Sequence, residues 1–243
     1  MMTDDIVPPW AVGYDLVVFI TVSSKSISAG QPRAYRSKLR QQQAEATRSR
    51  VVATAAKLFA ANGYARTTLA KIAAEAGVSA ETVQAQGPKA ALLTAAIEYA
   101  AVGAIGEENI FNLEVGRELL ATDDCEEAVK FIVAFQAGVH ERTAQLAPAL
   151  FGGAGVDPEL DRYLNDLLAG ITRQIRRVLD SFRDRGWLRV DVPFEELVET
   201  VAVLCSVETY LRVTDRDGWS LDAYRAWCRR MLAEAILVAP QRS

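Results

Sequence analysis

The chain has 243 residues, half of them hydrophobic, and 27 Lys and Arg stand against 31 Asp and Glu for a net charge of −4. That is enough apolar material for the core of one medium domain or two small ones, and no apolar run approaches the ~20 residues that span a bilayer, so no membrane is expected. Three scattered cysteines (125, 205, 228) without a C-x-x-C pattern, beside a single histidine (His140), exclude a disulfide framework and make a poor metal set; they fit small core or surface residues in a reducing cytoplasm.

The charge is unevenly placed. Residues 31–90 hold ten Lys/Arg against three acids, a balance of +7, which leaves −11 for the rest. A basic module joined to an acidic one suits a nucleic-acid reader attached to a domain that avoids nucleic acid.

In residues 1–30, the run DLVVFITV (15–22) would make a strand, but an otherwise helical chain offers it no partner. Asp4, Asp5, Pro8 and Pro9 stand where a signal peptide has its basic region. The stretch reads as a disordered extension or as an arm that packs on a partner. Arg33, Arg36, Lys38, Arg40, Arg48 and Arg50 follow with only Glu45 opposing; such an arm is either solvated or lies along phosphates and the minor groove.

From Ala44 to Ala61, Val51, Ala55, Leu58, Phe59 and Asn62 share one helical face, closed by Gly63. Residues 67–89 read as two short helices joined by a tight turn. Thr67 or Thr68 caps the first, whose apolar face is Leu69, Ile72, Ala73 and Ala76. Gly77 suits a left-handed helix end, Val78 is an apolar plug, and Ser79 caps a second helix over 80–86 with Glu81 favoured near its start. Helices this short rest on neighbours. The pattern is that of a helix-turn-helix, whose second helix enters the major groove of double-stranded DNA. Pro88 suits the first turn of a fourth helix carrying Leu92, Leu93, Ala96, Ile97 and Ala100.

Beyond residue 104, helices are expected over 107–120, 125–141, 143–151, 158–185, 193–213 and 220–238. Gly152-Gly-Ala-Gly155 follows no strand and lacks the Lys-Ser/Thr of a phosphate loop, so it reads as a flexible helix–helix loop. His140 lies near a helix end, where a capping or partly exposed histidine fits better than a general base. Glu107-Glu108 and Glu126-Glu127 open helices, where negative charge is favoured anyway. No nucleophile–base pair is visible, and neither enzymatic activity nor a metal or cofactor is expected.

The segments RSRVVATAAKLFAANGY (48–64), RTTLAKIAAEAGVSAETV (66–83) and PKAALLTAA (88–96) together resemble the N-terminal domain of the TetR family of transcriptional repressors. One corner departs from the pattern. Where the family places an aromatic-rich end to the recognition helix, this chain has Gln84-Ala85-Gln86-Gly87-Pro88-Lys89, one residue shorter and without an aromatic. The resemblance implies an all-α chain, with a three-helix helix-turn-helix DNA-binding domain at 44–90 after the extension 1–43. A larger helical ligand-binding and dimerisation domain would occupy 91–243. It further implies DNA contacts from Arg48, Arg50, Thr67, Thr68, Ser79, Ala80, Glu81, Thr82, Gln84, Gln86 and Lys89. A cavity for an unknown small-molecule effector would be walled by a subset of Phe111, Phe131, Phe135, Phe151, Tyr163, Leu167, Ile171, Trp187 and Tyr210, each of which is otherwise core. Leu197, Val201, Leu204, Val207, Leu211, Tyr224, Trp227, Met231 and Ile236 would form a homodimer bundle or pack internally. The function implied is ligand-responsive repression of a palindromic operator; the alternative is a small-molecule binding protein with weakened DNA reading.

Overall fold

The computed structural model describes residues 32–101 and 110–238, with side chains from 40 and from 111 onward in the two stretches. The 15–22 run, the side chains of Arg33, Arg36 and Lys38, and Glu107-Glu108 lie outside the described residues. The chain divides into two compact units, Met1–Thr47 and Arg48–Ser243.

Among the described residues the helices are α1 (Pro32–Arg66), α2 (Leu69–Ala76), α3 (Ala80–Gln84), α4 (Lys89–Ala101), α5 (Glu114–Ala121), α6 (Cys125–Thr143), α7 (Ala147–Ala154), α8 (Pro158–Asp184), α9 (Phe194–Leu204), α10 (Val207–Leu211) and α11 (Leu221–Ile236). No strand occurs among them; Leu188 and Leu237 form an isolated antiparallel bridge.

In the first unit, the described part is the opening of α1, exposed from Arg40 to Ala46. The helix starts at Pro32 rather than at Ala44. Apolar periodicity marks a helix only where a face is buried, whereas 33–50 is a run without glycine or proline, rich in Arg, Lys, Gln, Ala and Glu, that favours helix without one.

In the second unit, two apolar clusters organise the packing. The first joins Val51, Ala55 and Phe59 of α1, Ile72 and Ala76 of α2, Val83 of α3 and Leu92, Leu93 and Ile97 of α4. It continues through Leu146, Ala149 and Leu150 around α7 to Leu160 at the start of α8. The second holds Leu119 of α5, Val129 and Val133 of α6, Leu179 and Phe182 late in α8, Leu197 and Val201 of α9, and Tyr224, Cys228 and Leu232 of α11. Helix α8 therefore enters one core at its N-terminus and the other at its C-terminus. Beyond it, Arg189 N–H donates to the Ile236 carbonyl at 3.0 Å and Val238 N–H to that of Trp187 at 2.9 Å, tying the turn to the end of α11.

Two expectations are corrected. Gly152 and Gly153 lie within α7 rather than in a loop. Glycine lowers helix propensity by about 1 kcal/mol, but α7 packs against both α8 and the first core, and that contact outweighs the local cost. The helix expected over 193–213 breaks after Leu204. Cys205 ends α9, and the Ser206 hydroxyl accepts from Thr209 N–H at 3.1 Å to cap α10. Leu204, Val207 and Leu211 keep a helical apolar spacing across the break, so periodicity reads straight through a stop that the serine cap imposes. Of the apolar positions expected in the last helices, Leu197, Val201, Tyr224 and Ile236 face this chain's own core. Leu204, Val207, Leu211, Trp227 and Met231 are only half-buried.

Candidate functional site

The helix-turn-helix is built by local caps. Gly63, at φ 71°, kinks α1 where it must turn toward α2. The Thr68 hydroxyl accepts from Lys71 N–H at 3.2 Å to start α2, and Gly77, at φ 64°, ends it with a Cβ-free left-handed turn. The Ser79 hydroxyl then accepts from Thr82 N–H at 3.2 Å to start α3. Val83, fully buried, pins α3 to the core and turns Ala80, Glu81 and Gln84 outward.

Arg48, Arg50, Thr68, Ser79, Ala80, Glu81 and Gln84 are exposed; Thr82, Gln86 and Lys89 are half-buried. Hydrogen bonds from its own backbone N–H and the Ser79 hydroxyl hold the Glu81 carboxyl below the ordinary carboxylate range. An ionised Glu81 repels phosphate but can accept from a cytosine amine. The recognition helix ends at Gln84, and the Gln86 amide turns back to donate to the Thr82 carbonyl at 3.4 Å.

Thr67 corrects the expected contact set. Its side chain is fully buried, and its hydroxyl lies 2.8 Å from the Gly63 carbonyl and 3.1 Å from that of Leu58. It braces the kink of α1 from inside and presents no side-chain surface to solvent.

Lys89 sits at an internal tie rather than free in solvent. Its Nζ donates to the Tyr64 carbonyl at 3.0 Å and lies 3.9 Å from the centre of the Tyr64 ring. Tyr64 in turn stacks on Phe59 and donates its phenol to the Asp157 carboxylate, while the other Asp157 oxygen caps α8 by accepting from Glu159 N–H at 3.0 Å. Burial, then the bond to Asp157, push the Tyr64 phenol above its usual range; the same bond holds Asp157 below its own. Gly153 of α7 completes the knot. A Cβ there would meet Leu160 at 2.5 Å and the Tyr64 ring at 3.0 Å. The turn between α1 and α2 is thus held from α4, α7 and α8 at once. Tyr64, Gly153 and Asp157 were not among the expected site residues. The Asp157-Pro158 pair signals a helix cap, but nothing local signals its partner 93 residues away.

The expected effector walls are spread over both clusters. Tyr163 and Leu167 pack against the first, Phe111, Trp187 and Tyr210 against the second. Phe131 and Phe135 on α6 and Phe151 on α7 are half-buried, and Ile171 is exposed on α8. Phe111 lines an open cavity of about 450 Å³ with Arg177, Asp180, Ser181, Asp184 and Arg185 of α8 and its end. Trp187 makes an edge contact with Phe182 and lies under the Arg185 guanidinium, a packing role. His140 is partly buried near the end of α6, with Nε2 3.0 Å from the Cys205 carbonyl; burial lowers its pKa. No helix among the described residues is long and apolar enough to cross a membrane.

Residues 51–85 match the family of bacterial regulatory proteins, tetR family. No curated protein matches the sequence at a significant level. Among solved structures the chain is similar to a TetR transcriptional regulator from Chloroflexus aurantiacus, at 20% identity over 82% of this chain and 100% of that one, with a TM-score of 0.57. It is similar also to SmeT in complex with triclosan, at 20% identity over 81% and 96% with a TM-score of 0.61. A protein of Saccharomonospora viridis, described as a transcriptional regulator and in complex with choline, matches at 20% identity over 80% and 100% with a TM-score of 0.62. The helix-turn-helix of this chain is that of the tetR family of bacterial regulatory proteins, and the chain as a whole has the fold of such regulators.

Proposed function

We propose that the chain is a cytoplasmic, non-enzymatic repressor that binds a palindromic operator as a homodimer and releases it when a small-molecule effector binds. The reading rests on one observation above the others: a capped, exposed α3 held on a core that continues without interruption into α7 and α8. Residues 44–90 act as the reader and 91–243 as the effector and dimerisation part. Ala80, Glu81 and Gln84 reach base edges, and Arg48, Arg50, Thr68 and Ser79 steady the backbone. Thr82 and Gln86 support the helix end. Lys89 reaches phosphate only if it leaves the Tyr64 carbonyl.

The effector pocket draws on the aromatic residues of α6, α7, α8 and α10, as the triclosan and choline complexes of similar folds suggest. Half-buried Leu204, Val207, Leu211, Trp227 and Met231, with exposed Val203 and Trp219, supply the face for the twin subunit. Regulation follows from linkage: an effector that favours a spacing of recognition helices unlike the operator's weakens DNA binding by the same coupling energy with which DNA weakens effector binding.

The test is titration of the full-length protein onto the DNA flanking its own gene and onto a scrambled duplex, across a salt series. Selective binding that falls with salt, and that Gln84→Ala makes unselective, supports the reading. Equal, weak binding to every sequence, including a library taken through rounds of selection, refutes it. The short aromatic-free end of α3 favours a second reading, a small-molecule binding protein with weakened DNA reading. That reading predicts no selected sequence together with a thermal shift on adding small amphipathic amines or phenols.

A further inference from the structure

The second apolar cluster contains a chemical group that neither DNA reading nor effector binding uses. Cys205 and Cys228 are both buried, and their sulfurs lie 3.9 Å apart. Two thiols in contact need to close to about 2.05 Å to become a disulfide. The position of each is informative. Cys205 ends α9 at the break before α10, where its N–H bonds back to the Val201 carbonyl at 2.9 Å. Its own carbonyl lies 3.0 Å from His140 Nε2, which also lies 3.1 Å from the Gln136 side-chain nitrogen. Cys228 lies inside α11, whose helix does not break there.

The pair is also unequal. The contact with the Cys205 sulfur, then that with the Tyr224 phenol, lower the Cys228 pKa, whereas the sulfur contact and burial raise that of Cys205. Cys228 is the sulfur that ionises first, and the thiolate is the nucleophile.

We infer that Cys205 and Cys228 form a reversible two-electron redox site, a dithiol that a peroxide converts into a disulfide joining the end of α9 to α11. In the first step the Cys228 thiolate attacks one peroxide oxygen and the O–O bond breaks. Cys228 becomes a sulfenic acid, and the departing hydroxide leaves as water with the proton released from Cys228. The Cys205 sulfur then attacks the Cys228 sulfur. The S–S bond forms as the S–O bond breaks, and the second hydroxide leaves as water with the Cys205 proton. The two electrons lost by the sulfurs are those gained by the peroxide. Access comes through the α9–α10 break, where the helix ladder is interrupted and Val203 stands in solvent, so local opening there costs less than global unfolding.

An aromatic cluster built on Tyr224 neighbours the pair. Tyr224 packs edge-on against Tyr210 at 5.1 Å and tilted on Trp227 at 6.2 Å, and Tyr210 lies 5.4 Å from the His140 ring. Oxidation therefore has an optical signature as well as a chemical one.

The experiment treats the full-length wild-type protein with hydrogen peroxide and reads three quantities. Intact mass should fall by two hydrogens per chain. Non-reducing peptide mapping should find a peptide containing Cys205 joined to one containing Cys228. The near-ultraviolet circular dichroism should change and return on adding dithiothreitol. Cys125→Ser should behave as wild type, and Cys228→Ala should lose the cross-link. Folded wild-type protein that keeps both thiols reduced, that takes Cys228 to sulfinic acid without a cross-link, or that forms disulfides only between chains through Cys125, overturns the proposal. All of these results are read on the wild type, so they stand even where a variant fails to fold.

Discussion

Gly152 and Gly153 are neighbours in one helix, yet replacing each by alanine should shift stability in opposite directions. At Gly152 an added Cβ meets nothing within 4 Å, and the residue is exposed. There only helix propensity acts, and Gly152→Ala should stabilise by about 0.5–1 kcal/mol. At Gly153 the same propensity gain is opposed by a Cβ 2.5 Å from Leu160 Cδ1 and 3.0 Å from the Tyr64 ring. Both neighbours are buried, Leu160 at 0% exposure and Tyr64 at 7%, so neither can swing away into solvent. Overpacking of this kind costs about 1–3 kcal/mol, and the balance for Gly153→Ala is a loss of up to ~2 kcal/mol. At about 2–4 °C per kcal/mol for a chain of this size, the thermal midpoint should rise by a few degrees in Gly152→Ala and fall by up to ~8 °C in Gly153→Ala. Thermal unfolding followed by far-ultraviolet circular dichroism is sufficient to measure both. A Gly153→Ala midpoint equal to or above wild type would refute the close approach of α7 to Tyr64 and Leu160. A fall in Gly152→Ala would instead refute the open surroundings of that position.

Three further outcomes follow from the same knot. The Tyr64–Asp157 bond needs a protonated phenol and an ionised carboxylate. Asp157, with its pKa lowered, adds stability above the ordinary carboxylate pKa that is lost as pH falls through its folded value, and Tyr64, with its pKa raised, adds stability below about 10 that is lost as pH rises. The midpoint difference between wild type and Tyr64→Phe should therefore be flat between about pH 4 and 10 and shrink outside that window; a difference independent of pH throughout would show that the bond is absent. Lys89→Met removes the bond to the Tyr64 carbonyl and the cation over the ring, for about 1–2 kcal/mol, and should lower the midpoint while leaving the salt slope of DNA binding unchanged; a slope smaller by about 1 would instead make Lys89 a phosphate contact. Thr67→Val keeps the volume but removes the hydroxyl 2.8 Å from the Gly63 carbonyl, while the Leu58 carbonyl keeps the Asn62 side-chain amide as donor at 3.1 Å, so denaturant titration should show a loss of about 1–3 kcal/mol; no loss would return Thr67 to the surface contact set.

What the amino-acid order determined by itself was local. The caps at Ser79 and within the Thr67-Thr68 pair, the stop at Gly77 and the buried face of Ile72, Ala73 and Ala76 all follow from interactions within four or five residues, which is the range that spacing can encode. The sequence also carried the helix-turn-helix and the division of charge, because both depend on neighbours in the chain. Tertiary structure alone decided which of those residues face solvent. Thr67 and Thr68 are equivalent as letters, but one lies under α1 and the other caps α2, since only the packing of α1 on α2 distinguishes the two sides of the turn. The same limit hid the rest. Gly153 looked like a loop because its helix is held by α8 rather than by its own propensity, and the break at Cys205 was masked by apolar spacing that continues across it. Tyr64 and Asp157, like the two sulfurs 23 residues apart in the chain, meet only after the helices that carry them have been packed. Side-chain chemistry names candidates for such pairs, but a long loop closes on only one of many partners, and the close-packed core selects which.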